Sequence, residues 1–195
     1  MTESKENKEL KEKNSKDKYS KDKYFAIIYL KGGCSNGNTE INLEDRSAWM
    51  YYIEFISTKK NIQVTDRSLE HYVLEATTMK SQNRMTLEVM KEAMNEAINS
   101  KINKNKLLFV TDYRNLAKGI NCWKRNWKIN DYKTSDNKFI VDRELWKKII
   151  KTYEKHFPQS KVLLITKKNK KYFPQFIDGM QKVTEYVNGK TKFNK

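Results

Sequence analysis

The chain has 195 residues and a formal net charge of +16 at pH 7, which indicates one domain with a charged tail and favours a polyanionic partner. Two cysteines and two histidines are too few for a disulfide framework, a zinc site or most histidine-based catalysis. The sequence has no long apolar run and no recognisable signal peptide, so we expect no membrane association and an intracellular location: cytoplasm, nucleus or a viral nucleoprotein compartment. The Lys- and Asn-rich usage is also typical of AT-rich genomes, which weakens any inference from charge alone.

Residues 1–23 consist mostly of Lys, Glu, Asn and Ser. Such a segment buries too little apolar surface to offset chain entropy, so we expect a disordered charged tail. It would serve as a solubilising arm or as a weak, non-specific nucleic-acid arm. We place the domain at residues 24–190 and a short C-terminal tail at residues 191–195.

Three apolar runs near the start of the domain predict strands. The first, Tyr24 to Leu30, is followed by a Gly- and Asn-rich segment from Lys31 to Asn38 that is typical of a turn. The second runs from Trp49 to Ile56, and a third lies within residues 61–74. Short connections predict that the three form an antiparallel meander.

The second half of the chain alternates between helical and extended patterns. Apolar residues at three- and four-residue steps from Met85 to Ile98 predict a helix whose Met and Leu stripe faces the core. The run from Leu107 to Val110 predicts a buried strand, and Thr111-Asp112 ends it and can cap the helix that follows. A basic segment rich in Trp, from Trp123 to Thr134, comes next.

A further helix is predicted from Glu144 to Phe157, and Pro158 ends it. The last strand is predicted at Lys161 to Thr166, and a basic loop then leads to a helix from Phe173 to Val187. The resulting order βββαβαβα predicts an α/β fold, with one five-stranded mixed sheet and helices on both faces.

Several short motifs accompany this order: Tyr29-x-x-Gly32-x-Cys34, Asn83-Arg84-Met85-x-Leu87, Thr111-Asp112 at a strand end, Trp123-x-x-Asn126-Trp127-Lys128, and Asp142 to Trp146. Together they resemble ribonuclease H of type 1, over roughly residues 24–187. The resemblance implies a ribonuclease H-like fold. It also implies cleavage of the RNA strand of RNA–DNA hybrids by two divalent ions held by four carboxylates.

The sequence departs from that pattern at the metal ligands. The first carboxylate of the family aligns with Lys31 and the second with Thr86, while the third and fourth align with Asp112 and Asp178. Two carboxylates beside an ammonium cannot hold two Mg²⁺ ions, and Lys31 can instead pair with Asp112. We therefore expect no metal or other cofactor, and a pseudoenzyme that retains nucleic-acid binding; Asp112 and Asp178 would be the ligands if any metal bound.

An alternative is an active Mg²⁺-dependent RNA–DNA hybrid endoribonuclease, in which a relocated carboxylate completes the site. The candidates for that role are Glu40, Glu44, Asp45 and Glu88. A further alternative is a scaffold within a larger nucleoprotein assembly.

The resemblance also implies residues that contact an RNA–DNA hybrid or another A-like duplex. These are polar residues before helices or in turns and a basic protrusion, namely Asn36, Asn38, Ser81, Asn83, Lys124, Arg125, Trp127, Lys128 and Lys133. Core packing is the role expected for Trp123 and Trp146, and solvated surface is the alternative for Lys124, Arg125 and Lys128.

Overall fold

The computed structural model describes residues 23–36, 42–56, 72–78, 80–100 and 106–190, except for the side chains of residues 72–76, 78 and 178. Most of the predicted N-terminal tail and all of residues 191–195 lie outside this part of the chain, as do Asn38 and Glu40. No helix within the described ranges is long and apolar enough to cross a bilayer.

Five strands form one mixed sheet in the spatial order β3-β2-β1-β4-β5. β1 pairs antiparallel with β2 and β2 with β3, whereas β1, β4 and β5 run parallel to one another. This arrangement confirms the predicted antiparallel meander and the predicted five-stranded mixed sheet. The strands are β1 Ala26–Cys34, β2 Arg46–Phe55, β3 Tyr72–Thr78, β4 Leu107–Thr111 and β5 Lys161–Leu164. The helices are α1 Gln82–Asn99, α2 Arg114–Lys118, α3 Lys124–Ile129, α4 Arg143–His156 and α5 Pro174–Val187, with a π-helical turn Gly119–Trp123 and a 3₁₀ turn Lys170–Tyr172.

Both faces of the sheet are buried, which explains the uninterrupted apolar runs of the central strands. Along β1, Ile28 and Leu30 belong to a cluster that includes residues of α1 and α4, while Ile27 and Tyr29 belong to a second cluster that includes residues of α5. The predicted Met and Leu stripe of α1 is confirmed as core, since Met85, Leu87, Met90, Met94 and Ala97 are fully buried.

The predicted end of the first strand is wrong. β1 continues through Lys31 to Cys34 instead of turning, and Gly32 pairs with Trp49 of β2. A Cβ atom at Gly32 would lie 2.5 Å from the backbone nitrogen of Thr86. The glycine therefore allows close packing of the strand on α1. Glycine in a strand can mark such a close approach as well as a turn, which is why the composition alone was misleading.

Two further expectations are settled by the structure. The predicted capping role of Thr111-Asp112 is wrong, because Tyr113 precedes α2 and no side chain caps the helix. Trp146 packs in the core as predicted, at 3% exposure, and the missing side chain of Gly119 makes room for its ring. Trp123 is only partly buried.

Candidate functional site

The carboxyl ends of β1, β4 and β5 meet at one edge of the sheet. Leu30 pairs with Thr111 and Thr111 pairs with Leu164. The residues that follow these three, Lys31, Asp112 and Ile165, therefore lie at this edge. There the Lys31 ammonium donates a hydrogen bond to Asp112 Oδ2, with 2.6 Å between the two atoms. The Lys31 side chain is 10% exposed and that of Asp112 is 26% exposed, so the ion pair is largely removed from water.

Thr86 lies next to this pair in the first turns of α1. It is fully buried, and its hydroxyl donates to the Gln82 carbonyl at 2.8 Å, within the same helix. Its Oγ1 would lie 2.7 Å from a Cβ atom on Gly32. The structure thus brings Lys31 and Asp112 into contact and places Thr86 beside the strand that carries Lys31. Asp178 lies in α5, and its side chain is among those not described.

The carboxylates that could have relocated toward this edge have other partners. Glu88 accepts from the Lys80 ammonium at 2.9 Å and from Arg84 Nε at 2.8 Å. Burial alone would raise the pKa of Glu88, but the hydrogen bonds from Lys80 and Arg84 outweigh it and hold that pKa below its usual value. Its charge is therefore already compensated by two cations.

Asp45 organises the connection between β1 and β2. Its carboxylate accepts from the Asn42 backbone amide at 2.7 Å, from the Ser35 hydroxyl at 3.0 Å and from the Asn36 side-chain amide at 3.3 Å. The backbone bond from Asn42 is the main cause of its lowered pKa. Of the other candidates, Glu44 is exposed and Glu40 lies outside the described residues.

The donor set at the Lys31–Asp112 pair does not fit a divalent cation. A divalent ion of the Mg²⁺ type requires several oxygen ligands, whereas Oδ2 of Asp112 already binds an ammonium group at 2.6 Å, whose positive charge repels a metal ion. Within the described ranges, no three His, Cys, Asp or Glu side chains are grouped so that they could hold a metal ion.

A groove of about 710 Å³ opens beside this edge. Tyr113 and Asn115, which follow Asp112, form part of its wall, as do Ser81 and Asn83 at the start of α1. Trp123 and Trp127 line it as well, and their ring centroids are 5.5 Å apart. The opposite wall is the loop before α4, which contributes Thr134, Asp136, Lys138, Phe139, Ile140 and Val141, and Trp146 completes the lining. The result is a groove with aromatic and polar walls.

Three of the predicted binding residues, Ser81, Asn83 and Trp127, line this groove. The Ser81 hydroxyl accepts from the Arg84 backbone amide and so caps α1, with a distance of 3.1 Å. The Asn83 side-chain amide donates to Asp142 Oδ2 at 2.7 Å, and Arg84 binds the other oxygen of Asp142 at 3.0 Å. These bonds tie the start of α1 to the start of α4.

The protrusion cations lie outside the groove lining. Lys124 stands over the ring of Tyr153 at 5.3 Å, Lys128 pairs with Glu154 at 2.9 Å, and Lys133 stands over the ring of Phe139 at 5.4 Å. Arg125 is exposed. Asn36, which binds Asp45, does not line the groove, and Asn38 lies outside the described residues.

Sequence reasoning missed Lys138 and Phe139 as groove residues. They are brought into position by an isolated bridge between Lys133 and Phe139, which folds the loop back on itself. Asn137 takes a positive φ of 59° within this loop, a conformation that asparagine tolerates better than most residues. The Thr-Ser-Asp-Asn run at 134–137 was therefore a turn signal that could have located the loop.

The fold and this edge together define an α/β protein of the ribonuclease H-like class. The family model for RNase H matches residues 27–162, which is more than half of the chain, and the protein belongs to the RNase H family. A ribonuclease H of Ruthia magnifica subsp. Calyptogena magnifica is 27% identical over 124 residues, covering 63% of this chain and 70% of that protein. A ribonuclease H of Francisella tularensis subsp. novicida is 39% identical over 46 residues, covering 24% of this chain and 30% of that protein.

Solved structures confirm the fold. A foamy viral protease–reverse transcriptase in complex with dsDNA has a TM-score of 0.64 at 14% identity, over 84% of this chain and 94% of that one. The same type of protein in complex with an RNA/DNA hybrid has a TM-score of 0.62 at 12% identity, over 85% of this chain and 20% of that one. LC9-RNase H1, a type 1 RNase H with the type 2 active-site motif, has a TM-score of 0.60 at 18% identity, over 85% and 73% of the two chains.

Proposed function

We propose that this protein binds RNA–DNA hybrid or another A-like duplex and does not cleave it. The observation that carries the proposal is the ion pair between Lys31 and Asp112, with 2.6 Å between ammonium and carboxylate. This ion pair lies where the resemblance to ribonuclease H implies that carboxylates bind catalytic metal ions. A pseudoenzyme with a retained binding surface accounts for that replacement.

The charge balance at the pair supports the loss of hydrolysis. A divalent cation that approached Asp112 would come close to the Lys31 ammonium, and like charges at 4 Å repel by roughly 8 kcal/mol per divalent ion at an effective dielectric constant of about 20. Thr86 offers a neutral hydroxyl whose proton already binds the Gln82 carbonyl. The observed partners of Glu88 and Asp45 argue against either carboxylate as a replacement ligand.

The groove and the charge of the chain support duplex binding. Trp123 and Trp127 offer aromatic faces, which suit stacking against bases or sugars, and Lys138 adds a cation at the same surface. The net charge of +16 favours a polyanion. The structural relatives in complex with dsDNA and with RNA/DNA hybrid support a nucleic acid as the partner. Shape and minor-groove contacts would then select an A-like duplex.

The test is a fluorescence anisotropy titration of labelled RNA–DNA hybrid, double-stranded RNA and double-stranded DNA, each at two salt concentrations in buffer with Mg²⁺. We expect the hybrid or the RNA duplex to bind more tightly than B-form DNA. Lys138→Ser should reduce the slope of log affinity against log salt by about 0.9, the value for one phosphate contact. Trp123→Ala should weaken binding without removing the salt dependence.

Lys106→Ser is the matched control, because Lys106 is exposed and precedes β4 at the opposite edge of the sheet. It should bind almost as the wild type does. Absence of binding to all three duplexes at low salt would overturn the proposed function. Groove variants that bind as tightly as the control would reject the groove as the binding surface.

A further inference from the structure

A lysine-rich loop follows β5 at the same edge of the sheet as the Lys31–Asp112 pair. We call residues 167–171, Lys-Lys-Asn-Lys-Lys, the lysine loop. It follows β5, and the Ile165 backbone amide donates to the Thr111 carbonyl at 2.7 Å. Because Asp112 is the residue after Thr111, the loop begins close to Asp112 in the sheet. The groove lining includes Tyr113, the residue that follows Asp112.

A buried asparagine holds the loop in one shape. Asn169 is 2% exposed, and its side-chain oxygen accepts from the Thr166 backbone amide at 2.6 Å and from the Thr166 hydroxyl at 3.2 Å. Its side-chain nitrogen donates to the Leu164 carbonyl at 3.0 Å. The Lys170 backbone amide closes the turn on the Thr166 carbonyl at 3.0 Å. The loop is therefore ordered by its own bonds before any ligand arrives, which lowers the entropic cost of binding.

The cations of the loop are available to a ligand. Lys167 and Lys168 are exposed, and no carboxylate in the described part of the chain forms an ion pair with either of them. The Asp112 charge is already balanced by the nine-tenths buried Lys31. The carboxyl edge of parallel strands thus presents unbalanced positive charge, at the place where open α/β sheets bind their ligands.

We propose that Lys167 and Lys168 bind the phosphodiester backbone of the duplex beside the Lys31–Asp112 pair, so that strand anchoring at this edge requires no divalent cation. The inference rests on the proposed function and specifies how the bound strand is held. A lysine ammonium binds phosphate as a point charge without fixed geometry. The groove is lined by Tyr113, which follows Asp112, and the loop begins two residues after Ile165, which bonds to Thr111, so one bound strand can contact both.

The experiment compares the wild type with the double variant Lys167→Ser/Lys168→Ser. The probe is a labelled RNA–DNA hybrid, titrated in buffer with excess EDTA and in buffer with Mg²⁺. The matched control is Lys106→Ser/Lys161→Ser, which removes the same charge from exposed positions at the amino ends of β4 and β5. Thermal melting of each variant verifies that it is folded.

We expect the wild type to bind the hybrid at least as tightly in EDTA as in Mg²⁺, since Mg²⁺ competes for phosphates. In EDTA, the double variant in the lysine loop should lose about tenfold or more in affinity at about 0.1 M salt, and its salt slope should fall by about 1.8 for two phosphate contacts. The control should change far less.

The outcomes separate the two proposals. A wild type that binds in neither buffer overturns the proposed function, and this inference with it. A wild type that binds only with Mg²⁺, or a lysine-loop variant that binds like its control, overturns the inference alone.

Discussion

Replacing Lys31 by Met should destabilise the domain, because it removes the ammonium while keeping most of the side-chain stem. At 2.6 Å and an effective dielectric constant of about 20, the two unit charges attract by roughly 6 kcal/mol. Desolvation of the ammonium offsets much of this attraction in the wild type. The variant, however, leaves a carboxylate that is only 26% exposed without its cation. We expect a loss of about 2–4 kcal/mol in the free energy of unfolding.

The measurement is a double-mutant cycle by urea and thermal denaturation, with Lys31→Met, Asp112→Asn and the two combined. For a domain of this size the loss in Lys31→Met corresponds to a fall in Tm of about 5–15 °C. Asp112→Asn should then cost less stability in the Lys31→Met background than in the wild type. The expected coupling energy between the two substitutions is at least about 1 kcal/mol. Losses that add to within about 0.5 kcal/mol would refute the reasoning, because uncoupled residues behave in that way.

Two further predictions concern packing and pH. Gly32→Ala should cost about 1–3 kcal/mol in stability, because the new Cβ would lie 2.5 Å from the Thr86 backbone nitrogen. Gly33→Ala should cost less, because its Cβ would meet side-chain methyl groups of Val183 at 2.9 Å and Val187 at 3.4 Å and no backbone atom. Equal losses in the two variants by urea denaturation would contradict this reasoning. Because the pKa of Glu88 is lowered in the folded protein, its charge stabilises the fold above the unfolded value near 4.5 and ceases to do so as pH falls through the folded pKa. Glu88→Gln should therefore be less stable than the wild type at neutral pH, and the difference should shrink at acid pH; a deficit that stays constant from neutral pH to about pH 3 would show that charge is not its cause.

Pattern alone located most of the fold. Helical spacing predicted the core face of α1, because the buried residues of a helix recur every three or four positions. The continuous apolar run from Leu107 predicted β4, because a strand buried on both faces is apolar throughout. The end of β1 could not be located in this way. Its Gly-Gly pair has the composition of a turn, and only the approach of α1 to Gly32 reveals that it is packing.

The candidate site was predicted unevenly for a similar reason. The contact between Lys31 and Asp112 was expected from the resemblance and is present in the structure. The groove wall at Lys138 and Phe139 depends on how one loop folds back, which no periodicity encodes. The partner of Asn83 was also missed, since Asp142 is distant in sequence and meets it only when α4 packs on α1.

The most direct test of the loss of hydrolysis is incubation of the purified protein with a labelled RNA–DNA hybrid in Mg²⁺ and, separately, in Mn²⁺, with the products resolved on a denaturing gel. We expect the RNA strand to remain intact in both buffers, because Lys31 is paired with Asp112 where a metal ion would be needed. Cleavage of the RNA strand that disappears in Asp112→Asn would contradict this expectation, since such cleavage requires that carboxylate to hold a metal ion despite the neighbouring ammonium.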